Sequence, residues 1–223
     1  MLDSQLSKRL VLASRSPRRR EIVGALVPPV HQIDWNGEET PPRNGETPEE
    51  FVLRLSLAKA RGGADRSGPA TVLGADTVVV LDAKILGKPT GSTDATGMLG
   101  RLRGRTHRVM TGVTILDSES GRWVASARST DVTFREYSDA EVAAYVASGK
   151  SFDKAGGYAV QDRLFAPAVN VEGCYLNVVG LPLCEVVTLL AELGVAATLE
   201  ARWRPPDSCR ECPLHQRVKG QQR

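Results

Sequence analysis

The chemistry available to this chain starts from a carboxylate set inside a run of β-branched residues. In the stretch Thr71 to Thr90, TVLGADTVVVLDAKILGKPT, an apolar run ends at Gly74. Ala75, Asp76 and Thr77 follow, and the run resumes from Val78 to Leu81. Residues of this kind predict a strand. A carboxylate within such a strand is costly to bury unless it is paired with a cation or holds one. Gly74, close before it, lets another group approach the strand. The turn Gly87-Lys88-Pro89 then presents a lysine. An edge hairpin with solvated Asp76 and Lys88 is the plain alternative, and this stretch alone leaves it open. Three other segments offer matching chemistry: Arg18 with Arg19, Lys59, and Lys154. Brought together, these groups form a cationic pocket for a polyphosphate. In it Asp76, with a loop glutamate, holds a divalent cation or polarises water. Thr77 and Gln161 are neutral hydrogen-bonding groups suited to reading a base edge or positioning water.

The elements that must position these groups follow from local signals. Arg9 to Ala13 predicts a first strand, and Ser16-Pro17 is an N-cap with proline at the first helical position. The helix it opens is predicted to run to about Leu26 and carries two arginines at its start, an arrangement suited to an anion. A surface helix start with solvated arginines fits the same residues. Val30 to Ile33 predicts a short strand, and 34–46 a loop in which Glu38 and Glu39 are the carboxylates available to point inward. Thr47-Pro48-Glu49-Glu50 opens a second helix whose apolar face includes Val52 and Leu55, with Lys59 beside it; Gly62-Gly63 is predicted to end it. Another helix is predicted from Ser92 to Leu102, followed by a basic loop to His107. Val109 to Leu116 and Arg122 to Phe134 predict a long strand pair. Ser138 with Glu141 is a capping box for a helix to about Ala147. DKAGGYAVQ, from Asp153 to Gln161, reads as a polar glycine-rich loop, Tyr175 to Val179 as a strand, and Gly180-Leu181-Pro182 as the start of a last helix to about Leu193.

Composition bounds the answer. A chain of 223 residues makes one large domain or two small ones, and 41% apolar with 25% charged residues is ordinary for a globular protein. A net charge of +3 is too weak to argue for nucleic acid. The arginines are bunched at Arg18 to Arg20 and at Arg101, Arg103, Arg105 and Arg108, which suits phosphate as well as solvent. No segment approaches the roughly 20 apolar residues of a membrane span, and MLDSQLSKRL lacks a signal-peptide core. Four cysteines, two of them in apolar surroundings, do not resemble a secreted disulfide scaffold. These features point to a cytoplasmic setting without a membrane partner. From Arg202 the composition turns Pro-, Arg- and Gln-rich, so residues 1–200 are read as the folded domain and 201–223 as a flexible or loosely docked tail. In that tail Cys209, Cys212 and His215 are candidate zinc ligands, one short of the usual four.

The motifs SRSPRR, GADTVVVLD followed by GKP, DKAGGYAVQ and LNVVGLPL, in this order between about Arg9 and Leu193, closely resemble the signatures of the Maf family of nucleoside triphosphate pyrophosphatases. The resemblance implies a mixed α/β fold, a twisted sheet flanked by helices with a deep cleft between two lobes. It implies hydrolysis between the α and β phosphates, a divalent cation (Mg²⁺ or Mn²⁺), and homodimerisation in many members. Carried onto this sequence, Asp76 is similar to the family's general base. Ser14, Arg18, Arg19, Lys59, Lys88 and Lys154 look like phosphate ligands, and Glu39 with Asp76 resembles the metal-binding pair. Arg18, Thr77 and Gln161 resemble the residues of the subgroup acting on dTTP and UTP. Asp162 and Ala159 depart from glycines expected in the glycine-rich loop, a change that could reshape the base pocket. The alternative from a different class is a non-catalytic nucleic-acid-binding or cell-division regulatory protein using the arginine clusters; the near-neutral charge and the lack of interleaved aromatics argue against a stable nucleic-acid complex.

Overall fold

The computed structural model describes residues 9–209, 212, 215, 216, 218 and 220. The remaining tail residues and the first eight lie outside the described residues. A mixed sheet runs in the spatial order β3 (Val30–Ile33), β1 (Leu10–Ala13), β4 (Thr71–Leu81), β6 (Thr106–Asp117), β7 (Trp123–Phe134) and β8 (Ala168–Glu172), with β5 (Lys84–Leu86) folding back on β4. The β3, β1 and β4 pairings are parallel, and those of β4 with β6, β6 with β7 and β7 with β8 are antiparallel. A second, two-stranded sheet joins β2 (Leu26–Val27) to β9 (Thr198–Leu199).

Two apolar clusters sit at opposite ends of the long strands. One gathers Leu73 and Ala75 of β4 and Val113 and Ile115 of β6 under the helices α1 (Pro17–Val23), α5 (Tyr175–Val179) and α6 (Leu183–Glu192). The other gathers Val79, Leu81 and Val109 with α3 (Ser92–Leu102) and α4 (Asp139–Ala147). Alternation along a strand puts Thr77 on the same face as all four β4 residues named. It falls between the clusters, opposite Thr111. The Thr77 and Thr111 hydroxyls are 2.9 Å apart, Thr111 donates to the Asn177 carbonyl at 3.2 Å, and buried Asn177 donates to Thr130 at 2.9 Å. A polar row therefore separates the two lobes.

The opposite face of the sheet carries α2 (Pro48–Ser67), capped by the reciprocal Thr47–Glu50 bonds of a capping box. This helix passes Gly62-Gly63 without ending and stops at Gly68, whose φ is 65°. The glycines serve packing instead: a Cβ on Gly63 would lie 2.6 Å from the Ala13 Cβ. The predicted strand at Tyr175–Val179 is helical. Its buried Asn177 donates to the Val109 carbonyl at 3.0 Å, so tertiary bonding overrides the β-propensity of the valines. The first helix ends at Val23 and not at Leu26, which pairs with Leu199 in the small sheet. Strand β8 was not foreseen; its sequence AVNVE is short and largely exposed, with no clean alternation of buried residues. In the tail, the described residues Cys209, His215 and Val218 are buried, and Cys209, Val218 and Trp203 pack into the first cluster. Among the described residues no helix is long and apolar enough to cross a membrane.

Candidate active site

On the edge away from β6, strand β4 pairs with β1 through Thr71–Leu73 and with β5 through Val79–Leu81. Among the described residues no strand pairs with 74–78 on that edge. A cavity of about 580 Å³ opens there, lined by six cationic side chains (Arg15, Arg18, Arg19, Lys59, Lys88, Lys154) and three carboxylates (Glu39, Asp76, Asp153). Asp76 and Thr77 flank it from the two faces of the strand. Ten of the residues singled out in the sequence line this cavity: Ser14, Arg18, Arg19, Glu39, Lys59, Asp76, Thr77, Lys88, Lys154 and Gln161; Glu38 does not.

Helix α2 delivers Lys59. A Cβ on Gly74 would lie 2.2 Å from the Ser56 carbonyl oxygen, and one on Gly112 would lie 2.4 Å from that of Val52, so the helix backbone rests directly on both strands. At that spacing buried Lys59 donates from Nζ to Asp76 Oδ1 at 2.6 Å and to Glu39 Oε1 at 2.9 Å. Lys88 donates to the other oxygen of Glu39 at 3.2 Å. Burial pushes the Glu39 pKa up, but the hydrogen bond and charge of Lys59, with Lys88, win and hold it at about 2. The loop carrying Glu39 is tied to α2 by Arg54, which donates to Thr40 at 2.7 Å and to Glu46 Oε2 at 2.7 Å.

On the other face, Arg19 donates from Nε to the Gly180 carbonyl at 2.8 Å and from Nη2 to Thr77 Oγ1 at 2.9 Å. Burial lowers its pKa, offset in part by Asp76, and the guanidinium stays charged. Arg18 pairs with Asp153 Oδ2 at 3.0 Å, and Lys154 also contacts Asp153. Burial raises the Asp153 carboxyl, but Lys154 and Arg18 bring it below its usual range. The Ser14 hydroxyl accepts from the Ser16 backbone at 3.1 Å. Gln161 stands exposed at the cavity rim. Its neighbour Asp162 does not line the cavity. Its carboxylate accepts from the Leu164 and Phe165 backbone at 3.0 and 2.9 Å and from Lys150 at 3.0 Å, so this departure from glycine serves the loop.

Sequence reasoning missed Trp35 and Asp153. Trp35 is buried, lines the cavity and lies 5.0 Å from Lys59 Nζ across its ring. The available signal was a single tryptophan in a loop of Gly and Glu. Asp153 stood next to Lys154 and needed only to be read as that lysine's partner.

Two carboxylates whose oxygens both face one positive centre, Lys59 Nζ, form the donor set that a hard divalent cation takes together with phosphate oxygens. Asp76 and Glu39 therefore fit such an ion. Among the described residues no group of three His, Cys, Asp or Glu side chains is gathered to hold a metal, so substrate and water oxygens would supply the other ligands.

Comparison with known proteins places this geometry. The family described as Maf-like protein matches residues 9–193. A protein named dTTP/UTP pyrophosphatase from Syntrophotalea carbinolica is 45% identical over 88% of this chain and 89% of its own length. One of the same name from Geotalea uraniireducens is 43% identical over 85% and 97%, and one from Dehalococcoides mccartyi (strain CBDB1) is 39% identical over 92% of each. Among solved structures the Staphylococcus aureus Ham1 protein is similar at 17% identity and a TM-score of 0.41, over 57% of this chain and 72% of that one. With a family match spanning the central sheet, helices α1 to α6 and every residue of the cavity, the chain belongs to the Maf family.

Proposed function

We propose that this protein hydrolyses nucleoside triphosphates, dTTP and UTP foremost, to the nucleoside monophosphate and pyrophosphate. The observation that carries the reading is the convergence of six cations from four segments on a cavity around Asp76. The names of the relatives, similar over most of both chains, supply the substrate class. The triphosphate lies against Lys88, Lys154 and Arg18, whose charges meet the negative charge that develops in the transition state. Asp76 orients a water and accepts its proton as the water oxygen bonds to the α phosphorus. The bond from that phosphorus to the α–β bridging oxygen breaks, and pyrophosphate leaves. Lys59, 2.6 Å from Asp76 Oδ1, holds that carboxylate in place. A divalent cation held by Asp76 and Glu39 supplies Lewis-acid polarisation and neutralises phosphate charge when bound. Thr77, fixed by Arg19 and Thr111, with Arg18 and Gln161, reads the pyrimidine base.

The test is purified protein with Mg²⁺ or Mn²⁺ and a panel of nucleotides, with products separated by chromatography. dTTP and UTP turn over fastest and yield monophosphate and pyrophosphate. Asp76→Asn lowers kcat by at least about 100-fold while the circular dichroism spectrum is retained. Orthophosphate as the only inorganic product, or an Asp76→Asn variant of full activity, would remove the mechanism.

A further inference from the structure

Two glycines near the cavity have no part in the proposed reaction. Gly62 stands inside α2, where glycine weakens a helix. Gly37 lies in the loop that carries Glu39. Neither has a φ in the left-handed region, and both meet the same side chain. A Cβ on Gly37 would lie 2.5 Å from Trp35 Cζ2, and one on Gly62 would lie 3.1 Å from Trp35 Cδ1 and from Nε1. The two missing side chains leave a slot, and the indole fills it.

Seated there, Trp35 meets Lys59, whose Nζ lies over the ring at 5.0 Å from its centroid. An ammonium has three donors. Two of those on Lys59 go to Asp76 Oδ1 and Glu39 Oε1 at 2.6 and 2.9 Å, and the aromatic face adds a cation–π contact. The loop around the indole is tied to the same helix on both sides. Arg66 donates to the Asp34 carbonyl, and Arg54 donates to Thr40 Oγ1 at 2.7 Å and to the Pro41 carbonyl at 3.2 Å. Between these ties Trp35 is the one buried residue, so it anchors the arm that brings Glu39 to Lys59. A tryptophan lining a nucleotide cavity also suits base stacking. This ring is only 8% exposed and gives one face to Lys59, so a base finds no platform on it.

We propose that Trp35 is a positioning residue of the active site. By covering the Lys59 ammonium and anchoring the Glu39 arm, it keeps Asp76, Lys59 and Glu39 in the arrangement the chemical step needs, without touching substrate. The assignment rests on the reaction proposed above. The full-length wild type is compared with Trp35→Phe, which keeps an aromatic face, and Trp35→Leu, which does not. Turnover of dTTP is measured, and the Lys59 ammonium is followed by NMR in protein labelled at the lysine nitrogens, its signal identified by its loss in Lys59→Arg. Trp35→Leu lowers kcat about 10-fold with KM changed less than about twofold, and Trp35→Phe lowers kcat no more than about threefold. In the wild type the ammonium protons are shifted upfield by the indole and exchange slowly with water. Trp35→Phe keeps an upfield shift, and Trp35→Leu loses both signatures. Gly62→Ala, which crowds the indole, lowers kcat in the wild type and leaves that of Trp35→Leu where it is. A raised KM with kcat retained in Trp35→Leu would make Trp35 a substrate contact and overturn the assignment. Equal loss of kcat in the two Trp35 variants, or a Lys59 signal indifferent to leucine, would overturn it as well. A wild type that turns over no nucleotide strikes the proposed reaction, and the ammonium signal then decides alone whether Trp35 holds Lys59.

Discussion

At the scale of single residues, the site turns on Lys59. Its ammonium is buried and shared between Asp76 and Glu39. Removing one partner of such a group strands the other. Lys59→Met should lower stability by about 3 kcal/mol, read from urea denaturation, because Asp76 is then a buried carboxylate without its cation. The same change should let the Glu39 pKa climb from about 2 toward its ordinary value, followed by NMR titration. The sign is that of a depressed carboxylate: the Glu39 contribution is present above the ordinary carboxylate pKa and is lost as pH falls toward 2. Glu39 is 44% exposed at its side chain, so added salt should shrink that contribution. Asp76 was legible because a lone carboxylate in a β-branched strand demands a partner. The partner's identity, and the Trp35 ring over it, were not, since both depend on how closely a helix packs.

At the scale of elements, two glycines decide that packing. Gly74→Ala would drive a methyl into the α2 backbone at Ser56 and Ala60, where no side-chain rotation relieves the contact. It should cost about 1–3 kcal/mol and also lower turnover, since it lifts Lys59 away from Asp76. Gly97→Ala, on α3 with open space around it, should instead raise stability by up to about 1 kcal/mol. Thermal denaturation of the two variants side by side checks both directions. The same physics explains where the sequence misled. Gly62-Gly63 has the composition of a helix stop, yet in α2 it lets the helix settle on Ala13 and Val72. Tyr175–Val179 has strand propensity, yet buried Asn177 finds its partners only from a helical turn. The strands of the central sheet were readable from alternation and β-branching; strand order and the gap along β4 were not, because pairing partners lie far apart in the chain.

At the scale of the whole molecule, the lobe built around α3 and α4 encloses a histidine. His107 is packed against Phe134 and is 2.7 Å from the Tyr158 hydroxyl. Burial pushes its pKa down to about 4, with Asp131 opposing weakly. The unfolded chain therefore binds the proton first as pH falls from about 6.5, and stability is lost down to about pH 4 at up to about 1.4 kcal/mol per pH unit. Urea midpoints measured between pH 7 and pH 4.5 should fall steeply for the wild type and less steeply for His107→Gln. The tail was legible only as a change in composition; that Cys209 and Val218 enter the core needed the fold. The polar row of Thr77, Thr111, Thr130 and Asn177 has a consequence for motion. Interlocked methyl groups resist sliding, whereas hydroxyls trade one partner for another at little net cost so long as none is left unpaired. The row is thus a natural axis for rocking one half of the protein against the other, and a nucleotide bridging Arg18 and Lys88 would brake it, slowing amide hydrogen exchange on both sides at once.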